Sequence, residues 1–252
     1  MNLYISTSIP WDKIGMTVDG LAPEVSQVTI EGEDYYKVST RISQVRIDGA
    51  VNIGFVFSAR GEDVAVTRAL SVMEYVQIAK SGAAADSRDY ALLDAILNYA
   101  EAVYAYTHED TADYEVEGSY GAPVYDDVSE ALSGIESYSI DLGESLRWVF
   151  VASDYNSRFT FTYTLNGQTV TNRVCSPDKN RQIVISVKAR DMLESIYITN
   201  ESGDTVEVNL ATYYNDVKEL SVGEDLTQAQ KDEALAVVDS IYHYAAAART
   251  EE

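Results

Sequence analysis

The chain carries one kind of ending twice. Residues 95–106, AILNYAEAVYAY, and residues 238–248, VDSIYHYAAAA, are both Ala- and Tyr-rich and helical in pattern, and each follows a strand-rich region and a charged turn. A recurring segment constrains the fold more than any average property, because the same local pattern must close the same unit twice. Two further landmarks recur in the same order. The hairpin signal TIEGED (29–34) has a counterpart in TLNGQT (164–169), which places Gly32 on Gly167 at an offset of 135. The turn ARGEDVAV (59–66) matches ESGDTVEV (201–208), Gly61 on Gly203 at an offset of 142, and the closing helices place Tyr99 on Tyr244 at 145. The slow drift of these offsets is what short loop insertions between two copies produce.

Each copy reads as strands first and helices last. SQVTIEG, YYKVSTRI, VNIGFVFS and VAVTRA in the first copy are short β-branched and aromatic runs divided by turn formers. SLRWVFVAS, FTFTYTL, TVTNRV, QIVISVKA, SIYITN and TVEVNL repeat the style in the second, where Phe159, Phe161, Tyr163 and Leu165 alternate along one face. Fewer strands are legible before the first copy's first hairpin, so that copy reads as N-terminally shortened. A helical hairpin follows each set. LSVMEYVQIAKS and SRDYALLDAILNYAEAVYAYT are split by GAAAD, with Asp86 or Ser87 as N-cap of the longer helix. In the second copy Thr227 and Gln230 stand at capping-box spacing. Each long helix is expected to pack on its shorter partner and on its own sheet.

The expected fold class is therefore α+β: two tandem repeats, each an antiparallel β-sandwich-like domain followed by a C-terminal helical hairpin. The boundaries are 1–107 for the first unit, 108–134 for an acidic, turn-rich linker, and 135–252 for the second unit. At 252 residues each unit is long enough to bury a core.

Segments such as KARDMLESIYITNESGDTVEVNLATYYNDVKEL followed by DEALAVVDSIYHYAAAA, and ALSGIESYSIDLGESLRWVFVAS opening the second copy, carry a resemblance. They resemble the β-domain plus helical-hairpin repeats of large exported, surface-attached proteins of gut clostridia and ruminococci. Ala95, Ile96, Tyr99, Ala102 and Val103 follow that family's ALxxYxxAAxxY helix signature loosely. The resemblance spans nearly the whole chain and rests on packing motifs. It implies a non-catalytic module, extracellular or cell-wall attached, and names no ligand.

Chemistry is sparse along the chain. With 41 acidic against 18 basic residues, the net charge of −23 repels phosphate backbones, so nucleic acid is not an expected partner. No apolar run is long enough for a bilayer-spanning helix, so membrane insertion is not expected. The opening MNLYISTSIPWDKIG lacks the basic and apolar regions of a signal peptide. A single cysteine, Cys175, rules out an intramolecular disulfide, and the only histidines, His108 and His243, stand in no zinc-binding or triad pattern. No glycine-rich phosphate loop occurs. The 41 carboxylates guarantee accidental pairs and thus point to no glycosidase dyad. No catalytic residue and no cofactor is therefore assigned.

Two binding chemistries retain named candidates. Asp110, Asp113 and Glu115 in the linker are oxygen ligands suited to calcium, though without EF-hand spacing. Trp11, Tyr35 and Tyr36 are aromatic residues that could stack on a sugar ring. The expected function is a non-catalytic adhesion or spacer repeat within a larger exported bacterial protein, meeting polysaccharide or a host or bacterial surface protein. The alternative is a carbohydrate-binding module attached to a polysaccharide-degrading system.

Overall fold

The computed structural model describes residues 2–30, 32–40, 49–59, 62–108, 133–142, 146–223 and 226–249. Within them the chain is α+β, with antiparallel sheets and four helices. The first half builds two three-stranded sheets. Strands β1 (Asn2–Ile5), β3 (Glu24–Ile30) and β4 (Glu33–Ser39) lie in the order β1-β4-β3. Strands β2 (Ile14–Val18), β5 (Ala50–Ala59) and β6 (Glu62–Ser71) lie in the order β2-β5-β6. Among the described residues their shared core comprises Met16, Val18, Val38, Val51 and Ile53, with Trp11 and Phe55 against it.

In the second half, β7 (Ile135–Leu142), β8 (Leu146–Ala152) and β11 (Gln182–Ser186) form a sheet in the order β11-β8-β7. Strands β9 (Phe159–Leu165), β10 (Gln168–Cys175), β12 (Ile196–Thr199) and β13 (Thr205–Val208) form another, ordered β10-β9-β12-β13. Alternation does the sorting here. Leu146, Trp148, Phe150 and Ala152 of β8 and Phe159, Phe161 and Tyr163 of β9 are buried, while the residues between them are not. The buried rows of both sheets join in one core, with Phe150 and Phe161 only 5.4 Å apart between ring centroids, an arrangement compatible with a β-sandwich.

The helices start where side chains can satisfy their free N–H groups. Ser71 accepts from Met73 and Glu74 at the start of α1 (Val72–Gly82), and Ser87 accepts from Tyr90 at the start of α2 (Arg88–Thr107). Asn209 with Thr212 and Thr227 with Gln230 form full capping boxes for α3 (Leu210–Glu219) and α4 (Gln228–Ala248). None of the described helices is long and apolar enough to cross a membrane.

Both halves run in the order strands, then two helices, and two strands precede each of the β3–β4 and β9–β10 hairpins. Strand pairing differs: β4 pairs with β1 and β5 with β2, whereas β9 pairs with β12. Helix α4 packs on its own sandwich through Val237, Val238, Ile241 and Ala245, as expected. Helix α2 does not follow suit. Leu97 and Ala100 meet Met73 and Val76 of α1, but Tyr99 and Val103 enter the core of the second half. Among the described residues the first half's core lies between its own two sheets, and the remaining apolar side of α2 is buried against α4, where Tyr99 stacks on Tyr244 at 5.7 Å.

Candidate functional site

The polar feature with the most definite architecture lies at the tip of the β9–β10 hairpin. Asn166 and Gly167 both adopt positive φ, 54° and 72°, the backbone that a two-residue type I′ turn requires and that Asn-Gly tolerates best. A short 3-10 turn at Ala189–Asp191, packed against α4, brings up the carboxylate of Asp191. The backbone N–H groups of Asn166 and Gly167 donate to its two oxygens at 2.7 and 3.0 Å. Asp191 is only 4% exposed, so this carboxylate is a buried clamp that fixes the hairpin to the 3-10 turn.

Around the clamp lies a cleft of about 430 Å³, lined by Thr164, Gly167, Thr169, Arg190, Asp191, Glu194 and Arg249. Thr164 and Thr169 are directly opposed across the hairpin, so their side chains share a face. The guanidinium of Arg190 lies across Gly167, close enough that a Cβ there would meet Nη2 at 2.5 Å, and its Nε is 3.6 Å from Asp191. Arg249, just beyond α4, pairs with Glu194. On the inner side of the same hairpin a second cleft of about 380 Å³ is bounded by residues including Tyr163, Asn166, Arg173, Ser186 and Lys188. Four of the chain's 18 basic residues thus gather at one hairpin of an otherwise strongly acidic protein. Guanidinium groups beside threonine hydroxyls are suited to hydrogen bonding and charge pairing with a small polar ligand.

Because the Asp191 clamp satisfies two donors at once, Asp191→Asn is expected to destabilise the protein by about 1–3 kcal/mol, since an amide offers only one acceptor. A urea midpoint equal to that of the wild type would show that the clamp contributes nothing.

The aromatic candidates are divided by the sheet. Trp11, on a 3-10 turn over Trp11–Lys13, stacks on Tyr36 at 4.6 Å with 23° between ring planes. Tyr36 also receives a hydrogen bond from Gln27 Nε2 at 3.2 Å. Tyr35, the next residue on β4, points to the opposite face and donates its hydroxyl proton to Glu33 at 3.1 Å. Hydrogen bonding to Glu33 and the charge of that carboxylate push the Tyr35 phenol up. The structure therefore joins Trp11 to Tyr36 and separates both from Tyr35.

The calcium candidates Asp110, Asp113 and Glu115 lie outside the described residues. Among those described, no group of three His, Cys, Asp or Glu side chains is placed to hold a metal. His108 is exposed and stacks on Tyr104 at 4.2 Å just past the end of α2. Local pattern reading found the Asn166-Gly167 turn but not its partners. Asp191 lies 24 residues from Gly167, and nothing periodic links it to Arg249. No protein-family model, curated protein or solved structure matches this chain.

Proposed function

We propose that this chain is a non-catalytic extracellular surface module, a spacer or adhesion repeat within a larger exported bacterial protein. The observation that carries the reading is the interlocking of α2 with α4. Tyr99 and Val103 from the first half are built into the core of the second, and the Tyr99–Tyr244 stack uses the tyrosines of both recurrent helices for packing. A spacer gains stiffness when its apolar area is consumed between units in this way. The common order of strands and paired helices supports reading the halves as two tandem repeats that have diverged in strand pairing. The resemblance to surface-attached repeats of gut bacteria supports attachment to the cell wall or release outside the cell.

A second reading, the carbohydrate-binding module, is favoured by the Trp11–Tyr36 stack, an aromatic pair over the middle of strand β4. Affinity electrophoresis against plant and host glycans separates the two. The spacer reading expects no retardation on any gel; retardation that Trp11→Ala abolishes would transfer the assignment to glycan binding.

A further inference from the structure

Strand β6 is a long edge with an open apolar centre. Among the described residues it pairs only with β5, it runs for 10 residues, and it contains neither proline nor lysine. Natural edges are generally blunted by short length, by proline or by charged side chains, because their free N–H and C=O groups template a further strand. Strand β6 does carry Glu62, Asp63 and Arg68, but these flank an uncharged centre from Val64 to Thr67. Eight of its ten residues are exposed, all but Val66 and Ser71. Alternation places Glu62, Val64, Val66, Arg68 and Leu70 on one face, opposite Ala59, Phe57, Phe55, Ile53 and Val51 of β5. That face is the inward one, since Val51 and Ile53 belong to the first half's core. The core ends at β5, however, and leaves Val64 36% and Leu70 39% exposed on β6.

We propose that β6 joins two copies of this chain by antiparallel self-pairing into a two-fold dimer. A two-fold axis normal to the sheet requires one residue to oppose itself, and it keeps the inward faces of both copies on the same side. With Ala65 opposite itself, Val64 meets Val66 of the other copy and Glu62 meets Arg68, each pair occurring twice. Both pairs lie on the inward face, so the apolar row continues across the junction and is flanked at each end by opposite charges. On the outward face Asp63 meets Thr67. No like charges oppose one another in this register. Moving the axis to Val66 sets Val66 against itself but places Arg68 against Val64 and Glu62 against Leu70, which loses the charge match and leaves a single apolar pair at the centre. Complementary charge and apolar continuity thus select a second copy of the chain as the occupant, in one register.

Sedimentation velocity on the whole chain at about 0.15 M salt, over a wide concentration range, tests the pairing. The expected result is a concentration-dependent dimer. Arg68→Glu, which sets like charges opposite each other twice, raises the dissociation constant about tenfold. Glu62→Arg combined with Arg68→Glu restores the wild-type value. Amide hydrogen exchange gives a second measurement that does not depend on variants, with protection of residues 62–70 rising with protein concentration. A monomer at every concentration, a dimer insensitive to Arg68→Glu, a double variant that stays dissociated, or protection of β6 independent of concentration would each overturn the proposal.

Discussion

Trp148→Ala is expected to lower the free energy of unfolding by about 4 kcal/mol, seen as a fall in the urea midpoint with little change in slope. Trp148 is 1% exposed at the middle of β8. Its ring lies 6.1 Å from that of Tyr138 on β7, 6.4 Å from Phe150, and edge-on to Tyr213 of α3 at 5.8 Å. Tyr138 in turn donates its hydroxyl proton to Asp216 of α3. Removing the indole therefore empties the place where the β11-β8-β7 sheet and α3 meet, and several rings lose their partner together. Tyr197, on β12 but 43% exposed, is the control: Tyr197→Ala is expected to stay within about 0.5 kcal/mol of the wild type. Equal effects from the two substitutions would mean that the sandwich core is not the seat of stability.

Much of this core is legible in the spacing of its residues. Trp148 stands in register with Leu146 and Phe150, and a period of two over a half-buried strand is enough to put all three on one face. The same holds for Phe159, Phe161 and Tyr163. Helix starts are equally legible, because Ser87 and the Thr227–Gln230 box act on N–H groups within three residues of themselves. Chemistry that is local in sequence leaves a local trace. Strands β1, β2 and β7 leave a weaker one: β1 is four residues long, and β7 buries none of its residues fully, so alternation barely marks it.

The partner of α2 is not legible at all. A stripe of Ala, Val and Tyr records that one side of a helix is buried and does not record against what. Tyr99 and Tyr244 read as equivalent endings of two units, yet in the fold they stack on each other instead of serving separate sheets. The candidate site shares that difficulty. Arg190 and Asp191 follow a clear strand, but their role depends on the hairpin tip at Asn166–Gly167 and on the chain emerging from α4, contacts set only by tertiary packing. Likewise, the neighbours Tyr35 and Tyr36 suggest one platform, and β alternation sends them to opposite faces.

The α1–α2 pair offers the other large effect. Lys80 near the end of α1 and Asp94 within α2 form an ion pair at 2.5 Å, with side chains only 13% and 6% exposed, and the Lys80 ammonium sits 4.9 Å from the centre of the Tyr90 ring. Lys80→Met is expected to cost about 3–5 kcal/mol, because it leaves the Asp94 carboxylate in an apolar seam without its ammonium. Replacing both, Lys80→Met with Asp94→Leu, should recover most of that loss, since an apolar pair needs no compensation for desolvation. Failure of the double variant to recover would mean that Asp94 serves the fold independently of Lys80. The pair also sets a pH signature. Burial pushes the Lys80 ammonium down, but the hydrogen bond and charge of Asp94 outweigh it and hold the group above its ordinary value. A base held above its unfolded value of about 10.4 adds stability that is complete below that pH and is lost as pH rises through the higher folded value. Tyr99 and Tyr244, raised by burial, act in the same direction from about pH 10 upward, because the unfolded phenols ionise first. Alkaline titration of the wild type should therefore show a steeper loss of stability than the double variant above about pH 10. Identical slopes would place the alkaline limit on the tyrosines alone.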